Sequence, residues 1–287
     1  MRRGYLELLR PANVVTALAD VLAGYAVAGR GNPGALPGLL VATACLYAGG
    51  IVLNDVFDRR IDAVERPERP IPSGRVSAGA AAALGGALLV SGVLAASFVN
   101  PTATLVAASI AVAVLLYDGL SKRWPVAGPV NMGMCRALNL LLGVAAVPGV
   151  LALRWPVAAI PLVYITAVTV LSRGEVRGGT RPTALAALTL VVAVLVALAA
   201  LSLQPPEPSA AALLLTLFVA WRVVPPFWRA YQEGDAACIR RAVRAGVLSL
   251  VLVDAVIGAA YADMIYSLAI LATAVLAAAL ARLFSVT

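Results

Sequence analysis

Long apolar runs broken by short polar punctuation dominate the chain, and their length is the first property to explain. A helix crossing the hydrocarbon core of a bilayer takes about 20 predominantly apolar residues. That ruler predicts ten spans, near residues 13–29, 35–57, 78–98, 101–118, 127–149, 154–171, 183–203, 208–225, 240–260 and 263–284. Turn chemistry falls between them, at Gly31-Asn32-Pro33, Asn100-Pro101, Gly128-Pro129, Trp155-Pro156 and Pro205-Pro206. The last two spans touch at Ala262-Asp263, so the pattern allows nine helices or ten. Ala, Leu, Val and Gly prevail inside the runs, which predicts close helix packing through small residues. The first run lacks a small-residue cleavage site and resembles the rest of the chain, so it reads as a retained span and not as a signal peptide. The expected fold is all-α, one transmembrane domain over residues 1–287, with cap loops at about 58–77, 117–128 and 172–182.

Composition agrees. Of 287 residues, 62% are hydrophobic and 13% charged, and the mean hydropathy is +0.94. A soluble domain carries about a quarter charged residues, so a water-facing surface cannot be built from this chain. Histidine is absent, which excludes His-based acid–base catalysis, Ser-His-Asp hydrolysis and His-ligated zinc. Cys45, Cys135 and Cys238 lie far apart in or beside apolar stretches and read as small buried hydrophobes.

The basic residues alternate in space with the spans. Arg2, Arg3 and Arg10 precede the first; Arg59, Arg60, Arg66, Arg69 and Arg75 follow the second; Lys122 and Arg123 follow the fourth. Arg173, Arg177 and Arg181 follow the sixth, and Arg222, Arg229, Arg240, Arg241 and Arg244 surround the connection from eighth to ninth. The opposite connections hold only Arg30 and Arg154. The positive-inside rule therefore predicts a multi-pass protein of the cell inner membrane with a cytoplasmic N-terminus. The net charge of +8 is a topology signal, and nucleic acid is not an expected partner, because no basic folded domain exists to bind it.

Acids are scarce and concentrated. Five of the 14 lie between Asp55 and Glu68. Asp55, Asp58 and Asp62 are spaced i, i+3 and i+7, which puts them within about 60° on one helical face. Three carboxylates so close repel one another and call for a cation, and oxygen-only ligation selects a hard ion such as Mg2+. The plain alternative is a solvated helix end partnered by Arg59 and Arg60. The run continues a membrane span, however, with Asn54 in apolar context, and ionisable groups so placed are functional by default.

Asn54, Asp55, Asp58 and Asp62 match the NDxxDxxxD motif of the UbiA superfamily of intramembrane aromatic prenyltransferases at every position. The segment from Arg66 to Arg75 resembles that family's RPIPSGRIS stretch, Tyr117 with Lys122-Arg123 resembles its Y…KR element, and Arg10-Pro11 with Asn13 resembles the lead into its first helix. The resemblance covers residues 8–180. It implies a bundle of nine to ten helices around a central lipid-accessible cavity. It further implies transfer of a prenyl group from a prenyl diphosphate to an aromatic or other small acceptor, on the cytoplasmic side, with Mg2+ on Asp55, Asp58 and Asp62. Lys122, the only lysine, would offset charge on the departing diphosphate together with Arg123, Arg66 and Arg69, with Asn54 and Tyr117 alongside. Asn131 faces the interior and either orients an acceptor or bridges helices.

One feature departs from the family. Its second acidic motif, DxxxD, should end the sixth helix, where this chain has Ser172-Arg173-Gly174-Glu175-Val176-Arg177-Gly178-Gly179. Glu175 stands for the first acid as a fourth metal ligand, whereas Gly179 offers none. Arg173 and Arg177 put positive charge where a second metal would sit. This segment is similar to that of a divergent branch, the UbiA-like proteins called EboC. It keeps open a second function, a non-catalytic carrier of an isoprenoid or lipid-linked precursor. Phosphatidyltransferases of the CDP-alcohol type fit poorly, since Asp58 is followed by Arg59 and not by the Gly their motif needs. Asp118 reads either as a helix-end cap or as a further carboxylate at the mouth, and Asp20 and Asp254 lie within spans.

Overall fold

The computed structural model describes residues 2–176, 178–204 and 208–283. The protein is 84% helical, and the described residues contain no strand. After a short α1 (Arg2–Leu9) come α2 (Pro11–Val27), α3 (Ala35–Glu65), α4 (Ala78–Ser97) and α5 (Pro101–Gly119). There follow α6 (Ala127–Val144), α7 (Pro148–Arg154), α8 (Ala159–Ser172), α9 (Arg181–Ser202), α10 (Ala210–Glu233), α11 (Ala236–Tyr261) and α12 (Met264–Leu283).

Helix starts follow the local chemistry. The side chains of Ser77, Asn100, Thr180, Ser209 and Asp235 each accept a hydrogen bond from the third residue of the helix they begin, satisfying one of its orphan N–H groups. Two ends lie beyond the hydropathy limits. α3 runs to Glu65, so the first cap loop starts at Arg66 and not near 58. α10 continues through Pro225 and Pro226 to Glu233, as prolines in membrane helices can where neighbours satisfy the freed backbone. At the chain's end, Asp263 accepts from the Tyr266 amide (2.7 Å) and begins α12 as a helix separate from α11.

Eight described segments are long and apolar enough to cross a membrane, with α7 and α8 forming one of them. The protein is integral to the membrane. Outside that group fall α2, with 17 residues, and α6, which carries Asn131, Arg136 and Asn139. These two are inner helices: α2 packs on α3, α6, α11 and α12, and α6 also packs on α5 and α8. They pack backbone to backbone. A Cβ on Gly24 would lie 1.9 Å from the Leu140 carbonyl oxygen, and one on Gly143 would lie 2.2 Å from that of Val21. Only glycine permits that approach.

One apolar cluster joins α2, α6 and α8 to α12, and a second joins α2 and α6 to α3, α4 and α5. A third, smaller one, built on Leu8, Val52, Val76 and Ala81, binds α1 and the loop after α3 to the end of the bundle. That cluster matters for function, because it folds the basic loop over the acidic end of α3.

Candidate functional site

The last three turns of α3 carry Asn54, Asp55, Asp58 and Asp62 beyond the apolar part of the helix. The chain then folds back on itself: the Arg66 amide donates to the Asp62 carbonyl (2.8 Å) and the Val76 amide to the Pro70 carbonyl (3.0 Å). Ser73 Oγ donates to the Arg69 carbonyl at 2.7 Å, and Gly74 supplies the left-handed turn with φ +73°. Val76 is buried in the small cluster, and Arg75 pairs with Glu7 at 2.6 Å. The loop is thereby held, and it delivers Arg69 to the carboxylates with only 9% of its surface exposed.

The carboxylates form two groups, each built around cations. Asp62 Oδ2 meets Arg69 Nη1 at 2.7 Å, and Asp55 Oδ1 meets Arg10 Nη2 at 2.6 Å and Arg69 Nη1 at 3.5 Å. In the other group Lys122 pairs with Asp58 and lies 3.9 Å from Asp118 Oδ1, which also accepts from Asn54 Nδ2 at 2.6 Å. Asp55, Asp62 and Asp118 are buried. Breaking such a buried pair from one side costs about 3–5 kcal/mol, because the surviving charge stays desolvated.

Two members of this site carried little weight in the sequence. Arg10 sits just before Pro11 with φ 43° and ψ 65°, a left-handed conformation that non-glycine residues seldom adopt. The surrounding contacts hold it there, with its guanidinium on Asp55. Asp118 is no cap; it joins Asn54 of α3 to the lysine turn after α5. The proximity of Arg10 to an acidic motif 45 residues away has no local signal.

The remaining expected residues divide. Asn131 donates to Ser121 Oγ at 2.9 Å, which ties α6 to the Lys122 turn, and Tyr117 is partly buried beside Asp118 and Asp58. Arg66 and Arg123 are exposed. Arg173 is used structurally, donating to the carbonyls of Trp124 (2.8 Å) and Arg123 (3.4 Å). Arg177 lies outside the described residues. The Glu175 carbonyl accepts from Arg240 at 2.8 Å, while its carboxyl is partly buried. Burial pushes that carboxyl up from the ordinary glutamate range, against the opposing pull of Arg240 and Arg66. The turn is pinned by the Gly179 amide, which donates to the Gly234 carbonyl at 3.0 Å, and Gly178 has φ +84°.

Deeper in the bundle is a polar cluster away from this end. Arg136 Nη1 meets Asp20 Oδ2 at 2.9 Å, Arg136 Nη2 donates to the Tyr47 hydroxyl at 2.9 Å, and its guanidinium stacks 4.8 Å over the Tyr47 ring. Asn139 Nδ2 donates to Asp20 Oδ2 at 2.8 Å, and Thr43 donates to Asn139.

Does the acidic end suit a divalent ion? Its donors are hard carboxylate oxygens of the type Mg2+ prefers, with Asp55 and Asp62 buried and Asp58 partly exposed. The ligand atoms of Asp55, Asp58 and Asp62 are shared between two cation-centred groups, however. Among the described residues the three-ligand cluster within 4.8 Å is Glu233, Asp235 and Cys238. There Cys238 Sγ already lies 2.8 Å from Arg241 Nη2 and 2.7 Å from Glu233 Oε2.

Comparisons with known proteins bear on the family and the fold. The chain is 39% identical over 140 residues to a digeranylgeranylglyceryl phosphate synthase of Methanothrix thermoacetophila, over 48% of this chain and 52% of that one. It spans a little over half the length of this and two further curated relatives. Its fold is similar to a solved structure described as giving insights into digeranylgeranylglyceryl phosphate synthase in membranes (TM-score 0.70, 20% identity, 91% and 99% of the two chains). It is also similar to a UbiA homologue from Archaeoglobus fulgidus solved with GPP and Mg2+ (TM-score 0.61, 13% identity, 94% and 99% covered). The model of the UbiA prenyltransferase family matches residues 17–241. The motif, the fold and this match converge: the chain belongs to the UbiA prenyltransferase family.

Proposed function

We propose that this protein is an intramembrane prenyltransferase. It takes a prenyl diphosphate with its head at the acidic end of α3 and its tail among the apolar helices, and transfers the prenyl group to an acceptor. The observation that carries the reading is the meeting of Asp55, Asp58, Asp62 and Asp118 with Arg10, Arg69 and Lys122 at one end of an apolar bundle. A membrane bundle does not gather so many buried charges for stability, since apolar residues of similar size would serve at least as well. Asp55, Asp58 and Asp62, with Glu175 as a further candidate, would hold Mg2+, which supplies charge neutralisation to the diphosphate.

In the transfer, the allylic C–O bond breaks and its electron pair leaves with the diphosphate. Lys122, Arg69 and Arg10 stand where that growing negative charge is stabilised, with Arg66 and Arg123 at the mouth. Asn54 and Tyr117 orient the head, and the apolar walls keep water from the allylic cation. The acceptor then bonds to the first prenyl carbon and gives up a proton. The relatives named as digeranylgeranylglyceryl phosphate synthases support an acceptor of the glyceryl phosphate lipid type over an aromatic one. The concentration of arginine at the same end of the molecule supports a cytoplasmic site.

The test is incubation of the purified protein with radiolabelled geranylgeranyl or farnesyl diphosphate, Mg2+, and glyceryl phosphate lipid and phenolic acceptors. Diphosphate release that disappears in Asp55→Ala and Asp58→Ala supports the enzyme. Tight binding without turnover for every acceptor overturns it and leaves the isoprenoid carrier, the reading that Gly179 in the second motif favours.

A further inference from the structure

At the end of the bundle opposite the acidic motif, a groove of about 500 Å³ opens between α8 and α9. Its origin is the break at Trp155–Ala158, a 3-10 turn that contains Pro156. Before the break α7 packs on α6 and on this turn, whereas α9 packs on α8, α10 and α11, so the flank of α9 is left uncovered there. Ile160, Val163, Val194, Ala197 and Leu201 form the walls. Every lining side chain is apolar except those of Arg154, Gln204 and Tyr261, which lie at the outer end. The groove follows α9 from Ala193 to Gln204, about 16 Å at 1.5 Å per residue. That is close to one leaflet of a hydrocarbon core about 30 Å thick.

Two arginines lie between spans on this side of the molecule, and their partners differ. Arg30 stands 5.8 Å over the Tyr266 ring and pairs with Asp263 at 3.2 Å. Arg154 stands 5.1 Å over the Tyr261 ring, with its Nη1 3.5 Å from the Tyr261 hydroxyl. Among the described residues it meets no carboxylate. The ring face holds the guanidinium in place but neutralises little of its charge. An apolar channel one leaflet long thus ends at a cation that lacks a counter-charge.

We propose that this groove binds an anionic phospholipid of the leaflet opposite the acidic motif, with one acyl chain between α8 and α9 and the phosphate on Arg154. The lining holds no carboxylate to receive an ammonium. A head of net negative charge is therefore preferred to a zwitterionic one, whose own ammonium already balances its phosphate. Gln204 supplies a further donor for the phosphate or the glycerol oxygens.

Trp155 reports on the site. Of the four tryptophans it alone stands at this end: Trp124 and Trp228 lie toward the acidic end, and Trp221 is midway along α10. The full chain is placed in phosphatidylcholine vesicles carrying a graded fraction of brominated phosphatidylglycerol or, in a parallel series, brominated phosphatidylcholine. The difference between parent and Trp155→Phe isolates the Trp155 fluorescence. Half-quenching is expected at an about fivefold lower fraction of the phosphatidylglycerol lipid, the effect of one arginine on an anionic head. Arg154→Gln should erase that preference, and Arg30→Gln, whose arginine already has its acid, should keep it. Ala197→Phe fills the groove from an exposed position and leaves the charge in place, so it should weaken quenching by the phosphatidylglycerol lipid. Equal quenching by the two lipids in the parent overturns the proposal, as does a preference that survives Arg154→Gln. A preference lost equally in Arg30→Gln reports the charge of the whole face and overturns it too. So does displacement of the lipid by soluble glycerophosphoglycerol, which would mark a site for the free anion. None of these outcomes depends on prenyl transfer.

Discussion

Two helix ends of this bundle, those of α3 and α8, differ sharply in chemistry. The end of α3 presents three aspartates and an asparagine and gathers Arg10, Arg69, Lys122 and Asp118 around them. The end of α8 presents Glu175 alone, in a glycine-rich turn whose polar contacts are mostly with backbone: Arg173 on the carbonyls of residues 123 and 124, and Arg240 on the Glu175 carbonyl. The first end gathers acids and cations from four parts of the chain. The second is organised to hold its own loop. Family membership alone does not distinguish these states; the disposition of the cations does.

The comparison can be broken most decisively at α3. Asp62→Ala leaves Arg69 buried beside one remaining acid, and is expected to cost about 3 kcal/mol of stability together with all measurable prenyl transfer. A denaturation midpoint and a transfer assay on one preparation read both, and full activity in this variant would remove the α3 end from the reaction. Lys122→Met is expected to lower turnover by about 100-fold, the usual effect of removing one donor to a developing negative charge. With Lys122 assigned to the diphosphate, the acceptor KM should hold steady.

At α8 the expected effects are smaller. Glu175→Gln keeps the size of the side chain and the backbone contact to Arg240, so a loss within about tenfold is expected, equivalent to about 1.4 kcal/mol. A loss as large as that of Lys122→Met would make the two ends equivalent and undo the contrast. Gly179→Asp restores the missing second acid. An added Cβ comes within 2.8 Å of Ile239 Cδ1, so the end of that buried side chain must shift to admit it. The expected result is a lower Mg2+ concentration at half-maximal activity. An unchanged Mg2+ titration would show that the arginines of this turn do not stand in for a metal.

Much of this was legible in the sequence. The ten apolar runs, the small-residue packing and the acidic motif all follow from period and composition, because a bilayer imposes one length and one polarity on every span. The boundaries were less legible. Hydropathy stops near Phe57, whereas α3 runs eight residues further to Glu65, since once the helix leaves the apolar layer its hydrogen bonds continue and only its side chains change. α2 and α6 fall outside the eight long apolar segments, α2 by its 17 residues and α6 by its Asn131, Arg136 and Asn139. They are shielded by other helices, so they can carry Asp20, Arg136 and Asn139.

By itself the sequence determined that this is a helical membrane protein whose few acids are concentrated at one helix end, because apolar length and charge placement are local properties. Tertiary structure alone decided which cation meets which acid. The pairing of Arg10 with Asp55, of Lys122 with Asp58, and of Asp20 with Arg136 links residues between 45 and 116 positions apart in the chain. Such pairs form only when helices pack closely enough to exclude water, and electrostatic interaction becomes strong and selective only after that exclusion.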